Sequence, residues 1–170
     1  RIAFVFILIG FGTKVGLAPM HSWLPDAHSR APSPISGLLS GIVLNVALFN
    51  ILRYKAIVDA TLNSTDWTNM LFLAFGALSV AVPAAFILVQ KDYKRLLAYS
   101  SIEHMGLVTF AFGMGGPIAS FAGLLHMTVH SLTKSAIFFA VGHATQKAGT
   151  QIIQDIQGLI RVNQIGRAHV

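Results

Sequence analysis

The chain has 170 residues, 54% hydrophobic and 11% charged, with 12 Lys and Arg against 6 Asp and Glu and no cysteine. Soluble domains run at roughly 45–50% apolar and about 25% charged, so lipid is the expected solvent. The lack of cysteine excludes Cys-ligated iron–sulfur clusters, disulfides and thiol chemistry within these residues, and the scattered cations form no basic patch with interleaved aromatics that would bind nucleic acid.

The chain opens with Arg1 running straight into Ile2, with no initiator Met and no signal-peptide cleavage pattern, so it is expected to start inside or at the edge of a membrane helix. A crossing helix needs about 20 apolar residues for a hydrocarbon layer of about 30 Å. The first span, 2–27, is expected to be discontinuous. Its apolar run to Gly12 covers about half a bilayer, then meets Lys14, Gly16 and Pro19 before resuming to Leu24. Pro19 removes a backbone donor and disturbs the preceding turn, which membrane depth tolerates only where protein or water satisfies the freed groups. Broken helices of this kind form ion sites in transporters.

His28-Ser29-Arg30-Ala31-Pro32-Ser33-Pro34 is a rigid turn whose prolines suit the start of the next helix. Further spans follow at 35–54, 69–90, 95–114 and 117–143, with Pro83 expected to kink the third. A longer loop carries Arg53 and Lys55, a tight basic one is Lys91-Asp92-Tyr93-Lys94-Arg95, and a neutral one runs from Gly113 to Pro117. Residues 1–143 thus form one transmembrane helical bundle. After Ala144 the chain turns polar, and Ile152, Ile153, Ile156, Leu159 and Ile160 fall at helical spacing, so 144–170 is expected to be an amphipathic interfacial segment with a truncated end. Gly166 to Val170 offer no cap or further span, and another helix is expected to follow.

The fold class is an all-α polytopic membrane protein with about five transmembrane helices. Alternating loops place Arg30, Lys91, Lys94, Arg95, Lys147 and Arg161 on one face and only Arg53 and Lys55 on the other. The first face is therefore expected to be cytoplasmic.

His126, His130 and Lys134 carry the sharpest chemical signal. Steps of four put them on one helical stripe, about 6 Å apart per step, a spacing that suits a water-bridged proton relay. A charged Lys at the bilayer centre costs about 2.5–3.5 kcal/mol, so such residues face a bundle interior or cavity and mark ion paths. The rival explanation is a packing stripe of neutral histidines; three ionisable groups in register favour the relay. Lys14, beside the helix break, is the second signal, against the alternative that it snorkels to an interface. Glu103 and His104, after Tyr99, Ser100 and Ser101, either feed the relay or hydrogen-bond between helices. Asp26 and His28 are expected to be structural, with Trp23 an interfacial anchor; His21 and Asn45 are weaker candidates. No metal site is expected. His126 and His130 have the spacing of a metal pair, but the intervening Glu of such a motif is absent from His126-Met127-Thr128-Val129-His130.

Lys14 followed by Ala18-Pro19-Met20-His21-Ser22-Trp23-Leu24-Pro25-Asp26-Ala27-His28 and Ala31-Pro32-Ser33-Pro34, then Asp92 to Ser101 and His126 to Lys134, resembles the proton-conducting antiporter-like membrane subunits. These comprise subunits L, M and N of respiratory complex I, multisubunit sodium/proton antiporters and energy-converting hydrogenases. The likeness covers nearly the whole chain. Within the family, Tyr99 to Gly106 and Leu39 to Tyr54 look most like component F of hydrogenase-4 and formate-hydrogenlyase-type complexes.

The resemblance implies a subunit of about fourteen helices in two inverted five-helix repeats, of which this chain is the seventh to eleventh. Lys14 then matches the central lysine of the broken seventh helix, and His126, His130 and Lys134 the relay of the eleventh. Pro19, Trp23, Pro25, Asp26 and His28 match its helix-break motif. Asn45 stands where several complex I members have a lysine or histidine, so the link between half-channels is expected to use water and Asn45. The implied function is proton translocation in a redox-driven complex of a prokaryotic cytoplasmic membrane. No cofactor is expected in this chain; the implied partners are other membrane subunits and redox subunits carrying iron–sulfur and nickel or flavin centres. The alternatives are a sodium/proton antiporter subunit and a non-transporting membrane scaffold.

Overall fold

The computed structural model describes residues 1–156. Its helices are α1 (Ile2–Val15), α2 (Trp23–Arg30), α3 (Ser33–Leu38), α4 (Leu44–Leu62), α5 (Asp66–Ile87), α6 (Tyr93–Met114) and α7 (Gly116–Ala148). A π-helical turn, Leu39–Val43, joins α3 to α4 in one continuous rod, Ser33–Leu62. The all-α class and the discontinuous first span are as expected. The rod, α5 and α7 are long and apolar enough to cross a membrane. The other two expected spans differ for physical reasons: α1 has only 14 residues before its break, and α6, although 22 residues long, is interrupted by the polar run of Tyr99, Ser100, Ser101, Glu103 and His104 after Lys94 and Arg95. Helix α6 tolerates those charges because it is central, packed against α2, α5 and α7.

The break begins at Gly16 rather than at Pro19. Gly16 takes the left-handed conformation (φ 78°, ψ 30°) and ends α1 with its N–H on Thr13 O, while Leu17 N–H bonds Gly12 O, a glycine-terminated helix end. The linker is buried at Leu17 and Ala18. Its Ala18 N–H is taken up by Ser79 Oγ of α5 at 2.8 Å, and the Trp23 indole N–H donates to Thr13 O at 2.7 Å. Trp23 thus ties α2 back onto the end of α1, adding a second donor to the Thr13 carbonyl that Gly16 N–H already bonds.

Between helices in lipid there is little hydrophobic driving force, so close packing and small residues hold the bundle. Helices α5 and α6 meet through glycines: a Cβ on Gly76 would lie 2.6 Å from Phe110 N, and one on Gly106 2.8 Å from the Ser79 backbone. Pro83 lies inside α5, which continues as helix to Ile87. Phe4, Leu8, Leu24, Leu48, Phe72 and Ile102 are among the fully buried apolar side chains of the core.

Helix α7 continues to Ala148, beyond the expected end at 143, and stops at Gly149, φ 69°. The amphipathic helix expected after Ala144 does not form in the described part. Instead Ile152 pairs with Asp92 in an antiparallel bridge, Tyr93 N–H donates to Gln151 O, and Ile153 N–H donates to Lys91 O. A short 3-10 turn, Ile153–Asp155, follows. These backbone groups are spent on the 91–93 loop and so are not available to a helix. Leu159 and Ile160 lie outside the described residues.

Candidate functional site

The chemistry expected along one helix is shared between two. Gly123, Met127, His130, Lys134, Phe138 and Gly142 are buried along one face of α7, the three- and four-residue spacing of a helix stripe. His130 and Lys134 are each only 4% exposed. Helix α6 brings His104 against this face: His104 Nδ1 lies 3.0 Å from His126 Nε2, and its ring centroid is 5.1 Å from that of His126 and 5.6 Å from that of His130. His104 thus bridges the two histidines of α7. A hydrogen bond at this distance pairs an N–H of one ring with the lone pair of the other, the tautomers setting which ring donates, and this is an arrangement that can pass a proton between rings.

Lys134 continues the track. Its Nζ donates to Leu97 O at 3.3 Å, the carbonyl that also accepts from Ser101 Oγ at 2.9 Å. Ser101 Oγ in turn lies 2.8 Å from Ser40 Oγ, beside the π-turn. Glu103 is half-buried next to His104 on α6. His130 has two buried ring nitrogens with no protein partner. Buried groups of this kind normally bond water where protein offers nothing.

The π-turn holds the far side. It leaves Gly41 O to accept from Asn45 Nδ2 at 3.0 Å and from Ser131 Oγ at 2.5 Å. Asn45 Nδ2 also donates to Met127 O at 3.1 Å, and its Oδ1 is buried without a partner. Asn45 is therefore fixed against α7 at Met127. Ser135 Oγ donates to Gly37 O, completing a polar seam between the rod and α7.

Other expected residues lie elsewhere. Lys14 is exposed near the break, and among the described residues it makes no hydrogen bond or ion pair. Asp26 forms an exposed ion pair with Arg95 at 3.2 Å, worth little by itself. Pro19 lies in the linker and Pro25 is buried in the first turn of α2.

Two residues gain importance that the sequence did not give them. Lys94, read as a loop charge, is buried in the first turn of α6, with Nζ on Ala31 O at 3.0 Å. His28, read as structural, is fully buried and stacks on Phe138 with centroids 4.9 Å apart. Neither periodicity nor local hydropathy marks them, because their burial comes from contacts distant in sequence, Lys94 with Ala31 and His28 with Phe138. Among the described residues, no three His or carboxylate side chains are grouped to hold a metal ion.

The family model described as NADH:quinone oxidoreductase/Mrp antiporter, TM, matches residues 1–169. The chain is 57% identical over 159 residues to a hydrogenase-4 component F homolog of Methylacidiphilum infernorum (isolate V4), covering 94% of this chain and 33% of that protein. It is 32% identical over 169 residues to hydrogenase-4 component B of Escherichia coli (strain K12), covering 93% and 25%. Among solved structures, it is similar to a chain of the membrane-bound sulfane sulfur reductase, an archaeal respiratory membrane complex. The TM-score there is 0.85 at 29% identity, covering 93% of this chain and 32% of that one. The chain thus spans between a quarter and a third of the length of these relatives.

Proposed function

The chain belongs to the NADH:quinone oxidoreductase/Mrp antiporter transmembrane family, and on that premise we propose that it is part of a proton-translocating membrane subunit. The parent assembly is a redox-driven complex of the hydrogenase-4, formate-hydrogenlyase or NADH:quinone oxidoreductase type, in a prokaryotic cytoplasmic membrane. Other membrane subunits and redox subunits with iron–sulfur and nickel or flavin centres are its partners.

One observation carries the reading: the part-buried pair His126 and His104 leads to the buried His130 and Lys134 in an ionisable track across the α6–α7 interface. Burying a lysine and an imidazole in a membrane bundle is costly, and packing alone does not require these side chains. Protons would move along the imidazoles, which accept on one nitrogen and release from the other. Lys134 holds or yields its proton according to the charge at Glu103 and beyond. Lys14, across the bundle, would respond to charge arriving from a preceding segment of the subunit.

The test is redox-driven proton uptake by membrane vesicles carrying the intact complex, with nickel and flavin measured on the purified assembly. Uptake coupled to electron transfer supports the reading, and nickel without FMN assigns the hydrogenase type. An assembled complex that transfers electrons without moving protons would sink it; sodium-driven proton exchange in the absence of electron transfer would replace it with an antiporter.

A further inference from the structure

The relay above ends at Lys134, one helical turn before Phe138, the residue on which His28 stacks. At the end of the bundle where the 31–34 turn, the 91–93 loop and the end of α7 meet, a cavity of about 630 Å³ opens. Lys94, Ser33, His143, Thr145, Gln146 and Gln151 are among the residues lining it. This is the cation-rich face that also bears Arg30, Lys91, Arg95 and Lys147, the side assigned to the cytoplasm by the positive-inside rule. At its inner wall the Lys94 ammonium is bound to Ala31 O, and His28 stands one helical turn before Ala31.

His28 is the unusual residue of this region. It is 0% exposed, and both of its ring nitrogens are buried without a protein partner. Its ring lies nearly parallel to that of Phe138 (16°), and Phe138 is one turn along α7 from Lys134. The ring is set between Phe138 of α7, one turn from Lys134, and the α2–α3 turn, where Ser36 Oγ donates to His28 O and the Lys94 ammonium donates to Ala31 O. Stacking on Phe138 asks only for a flat ring. A phenylalanine would supply that without burying two unpartnered polar atoms, whose desolvation is uncompensated. Nothing in the packing requires an imidazole, whereas passing a proton does.

We propose that His28 is a proton-transfer residue, loaded from the cavity past Lys94 and delivering protons to Lys134. The step is a proton transfer only: water at the cavity side protonates one ring nitrogen, the other releases its proton towards Lys134 across about one helical turn, and ring rotation or tautomer exchange resets the imidazole. No oxidant or further reactant takes part. Lys94 is a positioning residue in this scheme. It holds the α2–α3 turn against α6 and keeps the inner wall of the cavity polar.

This inference rests on the proton-translocating reading, and the experiment separates the two. Vesicles with the intact wild-type complex are driven by its redox substrate, and initial proton uptake is measured per electron transferred. If the wild type moves no protons, the broader reading fails. If the wild type does, assembled His28→Phe is expected to lose uptake by about tenfold or more, on the scale of removing a proton-transfer group, and His28→Ala is expected to recover uptake on addition of imidazole, which leaves the wild type unchanged. Wild-type uptake by assembled His28→Phe overturns the inference alone. Should His28→Phe fail to assemble, Gln146→Cys at the cavity mouth decides. Labelling it with a bulky, membrane-impermeant methanethiosulfonate is expected to lower uptake relative to the same variant unlabelled, and complete labelling with uptake unchanged overturns the proposal.

Discussion

His104 of α6 and His126 of α7 face each other with Nδ1 and Nε2 3.0 Å apart, so the proposed proton path leaves the helix on which its other histidines sit and returns to it at His130. Residues in series on one path behave as a unit, and their effects do not add. His104→Phe and His126→Phe are each expected to lower redox-driven proton uptake about tenfold or more, and the double variant to be no worse than the more affected single one. Uptake per electron in assembled complexes measures this. Losses that multiply would show that the two rings serve separate routes.

Lys134 is buried and donates to Leu97 O at 3.3 Å. A charged lysine at membrane depth costs about 2.5–3.5 kcal/mol, and replacing a buried charge by an apolar chain of similar volume is often neutral or stabilising. Lys134→Met is therefore expected to abolish uptake while leaving the thermal midpoint of the detergent-solubilised complex unchanged or raised. A lowered midpoint with uptake retained would make Lys134 a structural residue.

Helices, their order and the broken first span were legible because they follow from length, hydropathy and the Gly16 to Pro19 interruption. The stripe His126, His130 and Lys134 was legible because helical spacing is local. What was not legible depends on contacts distant in sequence. The Ala31 carbonyl converts Lys94 from a loop charge into a buried clamp. Phe138 fixes the ring of His28, although the two are 110 residues apart. The same limit applies after Ala148, where Ile152 and Ile153 keep helical spacing but lose their backbone groups to the 91–93 loop. Periodicity reports which face a residue would share, and a competing partner can prevent the helix itself.

Close approach of α5 and α6 depends on residues without side chains. A Cβ on Gly106 would meet Ser79 backbone carbon at 2.8 Å and its carbonyl oxygen at 2.9 Å. Backbone cannot swing aside as the end of a flexible side chain can, so the helices must separate. Gly106→Ala is expected to destabilise by about 1–3 kcal/mol, the usual scale of overpacking, and to lower both the thermal midpoint and the yield of assembled complex. Because Ser79 Oγ also accepts the Ala18 N–H of the break, the same change should increase proteolysis within the 16–22 linker. An unchanged midpoint would mean that the α5–α6 contact relaxes more easily than this geometry implies.

Asn45 is the residue whose role differs most between a structural and a conducting account. Its Nδ2 joins Gly41 O in the π-turn to Met127 O on α7, and interhelical hydrogen bonds within membranes average only about 0.6 kcal/mol each. Its Oδ1 is buried and unpartnered, which leaves an acceptor at the contact with Met127 of α7 for a bridging water. Asn45→Leu removes two modest bonds together with one unsatisfied acceptor, so its net effect on stability is expected to lie within about 1 kcal/mol. Its effect on uptake is expected to be much larger, about tenfold, because the acceptor for that water is gone. Asn45→His, which restores a group that both accepts and donates, is expected to retain most of the uptake. If Asn45→Leu lowers the thermal midpoint by many degrees while the assembled fraction still takes up protons at the wild-type rate, Asn45 is a packing residue and the water bridge lies elsewhere.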